Sequence, residues 1–299
     1  MDWIVEAEQL SKSYGSKKAV DNLTFKVPQG SIFGFIGPNG AGKTTTLRLL
    51  LGILKPTSGH IQVLGMDSSS KGVEVRKQVG YVAEQNSFYP FMKVQDLVSF
   101  NAGLYPHWDR ELAAKLLRLF ELPPKAKIKE LSKGMHTQLA LVLALAVRPR
   151  LLVLDEPTSG LDPVWRRQFF QALVREVADT GATAILSSHI LSDVERVADW
   201  LAIIADGKLK TVRPLDELKY NERVIRVVFQ GEPPRELLSM PGIKTIERQG
   251  SGYLLTITEN FDRIYTALDK APHFVLETVE QDLESIFLEY AEHRGESDV

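Results

Sequence analysis

The sequence predicts an α/β domain on a parallel sheet covered on both faces, followed by a small α+β domain. A short fully apolar run, residues 151–154, and a mainly apolar one, 182–187, alternate with stretches of helical periodicity, as strands buried on both faces do. Near residue 212 the texture changes, with Pro214 and the polar stretch Lys219-Tyr220-Asn221-Glu222-Arg223. Beyond that boundary the elements read β-α-β-β-α-β, the split arrangement of small α+β domains. The organisation expected is therefore a first domain over residues 1–211, a linker over 212–222 and a second domain over 223–299.

Taken in order, residues 1–66 read as short strands broken by Gly, Pro and Asn, among them 31–36 and 59–64. Asp109 is placed to cap a helix whose apolar positions Leu112, Leu116, Leu119 and Phe120 recur at steps of three and four before Pro123-Pro124. A second helix is expected over 134–147. Pro163 opens a third, with Phe169, Phe170, Leu173 and Val177 inward and Gly181 as its stop. In the second domain we expect strands at 224–229, on either side of Gly250-Ser251-Gly252, and at 274–279. Helices are expected at 234–240 and 261–271. A last helix over 283–291 precedes a polar tail, expected to fray. Its apolar positions Leu283, Ile286, Phe287 and Tyr290 suit either an internal core face or a dimer contact.

Composition narrows the class. Of 299 residues, 44% are hydrophobic and 25% charged, which is the balance of an ordinary globular chain and not of a disordered one. Lys and Arg number 36 against 38 Asp and Glu, so the net charge of −2 argues against a general polyanion binder, and no nucleic-acid partner is expected. The absence of cysteine excludes disulfides, thiolate metal sites and thiol nucleophiles. The longest apolar run, residues 139–147, falls well short of the roughly 18 residues that a spanning helix requires. The first residues, Met1 to Glu6, lack the basic and apolar regions of a secretory signal, and the expected location is the cytoplasm.

The chemistry concentrates in three places. Gly37-Pro38-Asn39-Gly40-Ala41-Gly42-Lys43-Thr44 fits G-x-x-x-x-G-K-[ST] between a predicted strand and a helical stretch starting at Thr45. Glycines let successive backbone N–H groups turn inward around phosphate oxygens, and the helix adds the positive end of its dipole. In that motif Lys43 reaches the β- and γ-phosphates and the Thr44 hydroxyl faces Mg²⁺. Asp155 and Glu156 end a buried apolar strand, where ligands sit in open α/β sheets. Asp155 is the candidate to hold Mg²⁺ through water and Glu156 the candidate general base; taken alone, the pair also suits a helix cap. His189 follows the next buried strand, a place where a lone histidine is usually only a satisfied polar group. The remaining five histidines show no metal-ligand spacing.

In this order the motifs resemble the ATP-binding subunits of ABC transporters over about residues 3–211. The resemblance implies a P-loop NTPase domain of ABC type, with a mixed-sheet core, an antiparallel β subdomain and a helical subdomain. It gives Tyr14 the place of the aromatic ring stacked on adenine, and Gln85 that of the loop glutamine contacting Mg²⁺ or water. Leu131-Ser132-Lys133-Gly134-Met135 stands where the family carries L-S-G-G-Q, and Asp162 closes the loop 159–162. The implied mechanism sandwiches ATP between two such subunits, with Ser132 and Gly134 capping the partner's γ-phosphate. Lys133 and Met135 depart from the commonest signature, and Lys133 would bring a positive charge to those phosphates. The implied partners are a second ATP-binding subunit, identical or related, and a separate membrane-spanning subunit, which puts the chain on the inner face of the membrane. Phe88-Tyr89-Pro90-Phe91 is either part of a docking groove or subdomain core. The second domain, ferredoxin-like in its element order, resembles the accessory C-terminal region of export-type subunits. A soluble ABC-type ATPase switch acting on a non-membrane partner is the rival reading.

Overall fold

The structure, a computed structural model, describes residues 2–159, 161–221, 223–279 and 282–292. Gly160, Glu222 and the polar tail after residue 292 lie outside the described residues. The chain divides into two compact units, Met1–Val212 and Arg213–Val299.

The first unit opens with two long strands, β1 (Trp3–Tyr14) and β2 (Lys17–Pro28), paired antiparallel. The buried strand β3 (Ile32–Ile36) leads through the glycine-rich loop into helix α1 (Lys43–Leu50). Strands β4 (Ser58–Val63) and β5 (Met66–Asp67) complete an antiparallel sheet of order β2-β1-β4-β5. Next come α2 (Gly72–Arg76) and β6 (Val79–Val82), then a helical stretch of α3 (Val94–Leu104), α4 (Arg110–Leu119) and α5 (Lys133–Ala146). The chain returns through β7 (Leu151–Asp155), α6 (Pro163–Thr180), β8 (Thr183–Ser188), α7 (Leu191–Glu195), β9 (Trp200–Ala205) and β10 (Lys208–Pro214). The second sheet has the order β10-β9-β3-β8-β7-β6, and its pairs β6–β7, β7–β8, β8–β3 and β3–β9 are parallel.

Burial explains why these segments take these forms. All five residues of β3 and of β7 and all six of β8 are buried, which favours apolar runs, and the polar members Asp155, Thr183, Ser187 and Ser188 sit at strand ends with hydrogen-bond partners. The Phe25, Phe33 and Phe35 rings, with centroids 5.5 to 6.3 Å apart, join β2 of the antiparallel sheet to β3 of the parallel one. In α5 every residue from Thr137 to Ala146 is buried, which suits a helix apolar nearly all round. In α4 the inward positions are Ala113 and Leu116, followed by Phe120 at the C-cap; Leu119, expected on that stripe, is 49% exposed where the helix ends.

Register then places the chemistry. Ile36 pairs with Ser188 and Asp155 with Ser187, so the C-terminal ends of β3, β7 and β8 lie side by side. The residues that follow them, Gly37, Glu156 and His189, leave the sheet at one edge.

The second unit begins with α8 (Leu215–Asn221), a correction to the linker expected over 212–222. Leu215 and Leu218, three residues apart on one helical face, are 5% and 1% exposed; the polar letters that suggested a linker belong to the helix end and the strand after it. There follow β11 (Arg223–Phe229), α9 (Arg235–Leu238), β12 (Ile243–Gln249), β13 (Gly252–Ile257), α10 (Phe261–Asp269), β14 (His273–Val279) and α11 (Leu283–Glu292). The sheet is antiparallel in the order β12-β13-β11-β14. Ile225, Val227, Phe229, Leu255, Ile257, Ile264 and Leu268 form its core. Among the described residues, no helix is long and apolar enough to cross a membrane.

Candidate functional site

The loop from Gly37 to Gly42 is shaped by what its glycines avoid. A Cβ on Gly37 would overlap the Ile204 carbonyl, and one on Gly42 the Ala19 carbonyl; Gly42 also has a φ of 105°, which glycine adopts without penalty. Gly42 is the residue before α1, so the loop ends at a helix N-terminus, where backbone N–H groups and the helix dipole favour an anion. Asn39, Gly40, Ala41, Gly42, Lys43, Thr44 and Thr45 line a cleft of about 670 Å³, together with Tyr14, Lys17, Ala19, Glu84, Glu156, Ser159 and His189. Gly37 and Pro38 contribute carbonyls: Lys43 Nζ donates to Gly37 O at 2.7 Å and Pro38 O at 3.3 Å.

Two carboxylates face this loop from the end of β7. Asp155 is 1% exposed; its Oδ1 accepts from Thr44 Oγ1 at 3.0 Å and from Ser187 Oγ at 2.7 Å, while Oδ2 is buried with no hydrogen-bond partner. Burial pushes its carboxyl above the usual range, against the Ser187 and Thr44 donors, and the nearby Glu84 and Glu156 charges push the same way. An unpartnered buried carboxylate oxygen beside a hydroxyl is a donor set that suits a hard, oxygen-seeking divalent cation such as Mg²⁺.

Glu156 is 8% exposed and has a φ of 48°, a left-handed conformation that costs a non-glycine residue about 1–2 kcal/mol. Its N–H donates to the Ser187 carbonyl and hydroxyl, each at 3.1 Å. The turn carries the side chain into the cleft. There Oε2 accepts from His189 N at 3.2 Å and lies 2.6 Å from His189 Nδ1, and Oε1 is 3.3 Å from Lys43 Nζ. Oε1 has no hydrogen-bond partner, only this ion-pair contact. Such a carboxylate, oriented through one oxygen and with the other open to the loop, can accept a proton from a nucleophile held there.

One expected residue stands off the cleft in this structure. Gln85 is exposed and does not line the cleft, whereas Glu84 does. In the turn after β6 the Asn86 side chain accepts from Ala83 N at 3.2 Å and donates to Ala83 O at 2.9 Å, and Glu84 and Gln85 are both exposed. Tyr14 lines the cleft with its ring half exposed. Ser132, Gly134 and Asp162 lie elsewhere, in a second cleft of about 520 Å³ that also holds Lys133, Met135 and Trp165. Ser132 Oγ caps α5 by accepting from Met135 N, and Asp162 Oδ1 caps α6 by accepting from Val164 N and Trp165 N. Within one chain these three do not reach the phosphate loop's cleft. Sequence reasoning also missed Ser187 and Ser159; strand register alone would have put Ser187 beside Asp155.

A phosphate loop at the C-terminal edge of a parallel sheet, facing two carboxylates and a histidine, defines a nucleoside-triphosphate hydrolase. Comparison with known proteins gives the family. Residues 20–159 match the family model described as ABC transporter. The ABC transporter ATP-binding protein YtrB of Bacillus subtilis is 33% identical over 285 residues, 95% of this chain and 97% of that protein. The Nod factor export ATP-binding protein I of Burkholderia pseudomallei is 40% identical over 209 residues, 68% of each chain. A solved structure described as the ATP binding subunit of an ABC transporter superposes with a TM-score of 0.67 at 29% identity, covering 73% of this chain and 92% of the other. The chain belongs to the ABC transporter ATP-binding proteins: it is the ATP-binding and ATP-hydrolysing subunit of such a transporter.

Proposed function

We propose that two ATP-binding units, identical or related, close around two ATP molecules and drive export through a separate membrane-spanning subunit at the cytoplasmic face. Direction rests on the printed name of the Nod factor export relative, and transport itself on the relatives' common description. This disfavours a soluble switch acting on a non-membrane partner.

The observation that carries the mechanism is Glu156 held between His189 and Lys43. The backbone of Gly37 to Thr45 wraps the phosphates, Lys43 neutralises their β and γ oxygens, and the Tyr14 ring stacks on adenine. Thr44 and Asp155 would hold Mg²⁺, which would supply charge neutralisation and phosphate orientation. Glu156 Oε1 takes the proton of the attacking water while His189 keeps the carboxylate turned toward the γ-phosphate. Glu84, not Gln85, is the residue of its loop that meets this chemistry. Ser132, Gly134 and Asp162 form a separate cleft at the N-termini of α5 and α6, which suits a surface offered to the second subunit's γ-phosphate.

Light scattering and phosphate release on wild type and Glu156→Gln test this together. Loss of the base should slow release about 10²–10⁴-fold and leave a stable ATP-bound dimer. Phosphate release by Glu156→Gln at the wild-type rate would remove Glu156 from the role of base.

A further inference from the structure

Two contacts tie the segment after β7 to the segment after β8, and the chemistry above explains only the first, Glu156 with His189. The second lies two residues further on: the Thr158 hydroxyl donates to Asp193 Oδ2 at 2.9 Å. Thr158 is 1% exposed and Asp193 2%. Behind them stands Arg166 of α6, with Nε 3.6 Å from Asp193 Oδ2 and a terminal nitrogen donating to the Leu161 carbonyl at 3.5 Å. Keeping a carboxylate such as that of Asp193 out of water is costly, with Arg166 partly exposed beside it, and apolar residues of similar volume often pack as well without that cost. Stability alone is therefore a weak reason for the arrangement.

The left-handed backbone of Glu156 supplies a better one. Such a conformation persists only where its surroundings over-determine it. Ser187 holds the Glu156 N–H from one side. On the other, the chain leaving Glu156 passes through Thr158, whose hydroxyl is anchored on Asp193. Asp193 lies in α7, four residues past His189. The two cross-links thus close a ring through residues 156–158 and 189–193, with the catalytic pair at one end and the buried pair at the other.

We infer that Asp193, acting through Thr158 with Arg166 behind it, is a positioning residue that holds the Glu156–His189 pair in register for attack by water. The inference rests on the assignment of Glu156 and His189 as the catalytic pair.

The test uses the full-length chain labelled with ¹⁵N-histidine, the His189 ring signals being identified by their loss in His189→Gln. Thr158→Val removes the donor at nearly constant volume, Thr158→Ser keeps it, and Asp193→Asn removes the charge that draws Arg166. Thr158→Val should shift the His189 ring signals and lower kcat about tenfold to a hundredfold, with KM for ATP within about twofold of wild type. Asp193→Asn should act in the same direction, and Thr158→Ser should restore both readouts. Unchanged ring signals and kcat in Thr158→Val overturn the inference, as do ring signals that move while kcat does not. Equal losses in Thr158→Val and Thr158→Ser, accompanied by equal drops in Tm, overturn it in favour of a packing role. A wild-type chain that binds ATP without turnover would count against the catalytic pair itself, and the ring signals would then decide on the brace alone.

Discussion

At Asp155 the protein keeps a carboxylate oxygen out of water without a donor, and its carboxyl titrates above the usual range because of that burial. A raised carboxyl pKa means that the folded state favours the proton, so stability falls as pH rises from the unfolded pKa to the folded one, and the whole cost is present above the folded pKa. Asp155→Asn keeps an oxygen for the Thr44 and Ser187 donors and removes the buried charge. In the absence of Mg²⁺ at pH 7.5 it should therefore raise Tm by about 2–4 °C, corresponding to about 1 kcal/mol in a chain of this size. The gain should shrink as pH falls through the folded pKa toward the unfolded one, and added Mg²⁺ with ATP should reverse the order by stabilising only the wild type. Calorimetry at several pH values with and without Mg²⁺ checks both signs. Most of this site was legible residue by residue, because a phosphate loop must be contiguous in sequence. Glu84 was not, since which residue of the turn after β6 borders the cleft depends on the path of the chain there, and the Asn86 contacts with Ala83 help to set that path.

The elements around the site depend on a few capping and packing residues. Asp109 caps α4 by accepting from Leu112 N at 2.8 Å and also meets Arg148, which bridges to Glu176 of α6. The Leu112 N–H lowers the Asp109 carboxyl below its usual range, and Arg148 reinforces this. Stability from such a depressed carboxyl is present above its unfolded pKa and lost as pH falls through the folded one. Asp109→Ala should cost about 1 kcal/mol at neutral pH, with the cost fading below about pH 4, as urea unfolding at pH 7 and pH 3 would show. The aromatic loop 88–91 divides. Phe88 stacks on His136 of α5 at 6.1 Å, whereas Tyr89 and Phe91, 56% and 71% exposed, meet each other with tilted rings at 5.8 Å. Tyr89→Ala with Phe91→Ala should weaken copurification with the membrane subunit and leave soluble ATP binding intact. Wild-type copurification would assign the docking surface elsewhere. For α11 the sequence favoured a core face over a dimer contact, and Leu283 and Ile286, fully buried within the chain, support the core.

At the scale of the molecule, each unit carries its own core, and the ATP cleft draws only on residues from Tyr14 to His189. A chain ending at Pro214, the last residue of β10, should fold, bind ATP and unfold cooperatively, as nucleotide titration and calorimetry would report. Loss of ATP binding would mean that the second unit is needed to hold the first in form.

The sequence by itself determined most of the strand-and-helix order, though not α8, together with the phosphate loop, the carboxylates at the end of β7 and the histidine after β8. These are local matters: glycine torsions, apolar runs and caps act over a few residues. Only the tertiary structure decided which residues meet across the sheet edge. Ser187 reaches Asp155, Glu156 turns left-handed toward His189, Thr158 rests on Asp193, and the signature residues stand apart in their own cleft. Those contacts join positions about thirty or more residues apart, and strand register, set by the burial of whole sheets, is what brings them together.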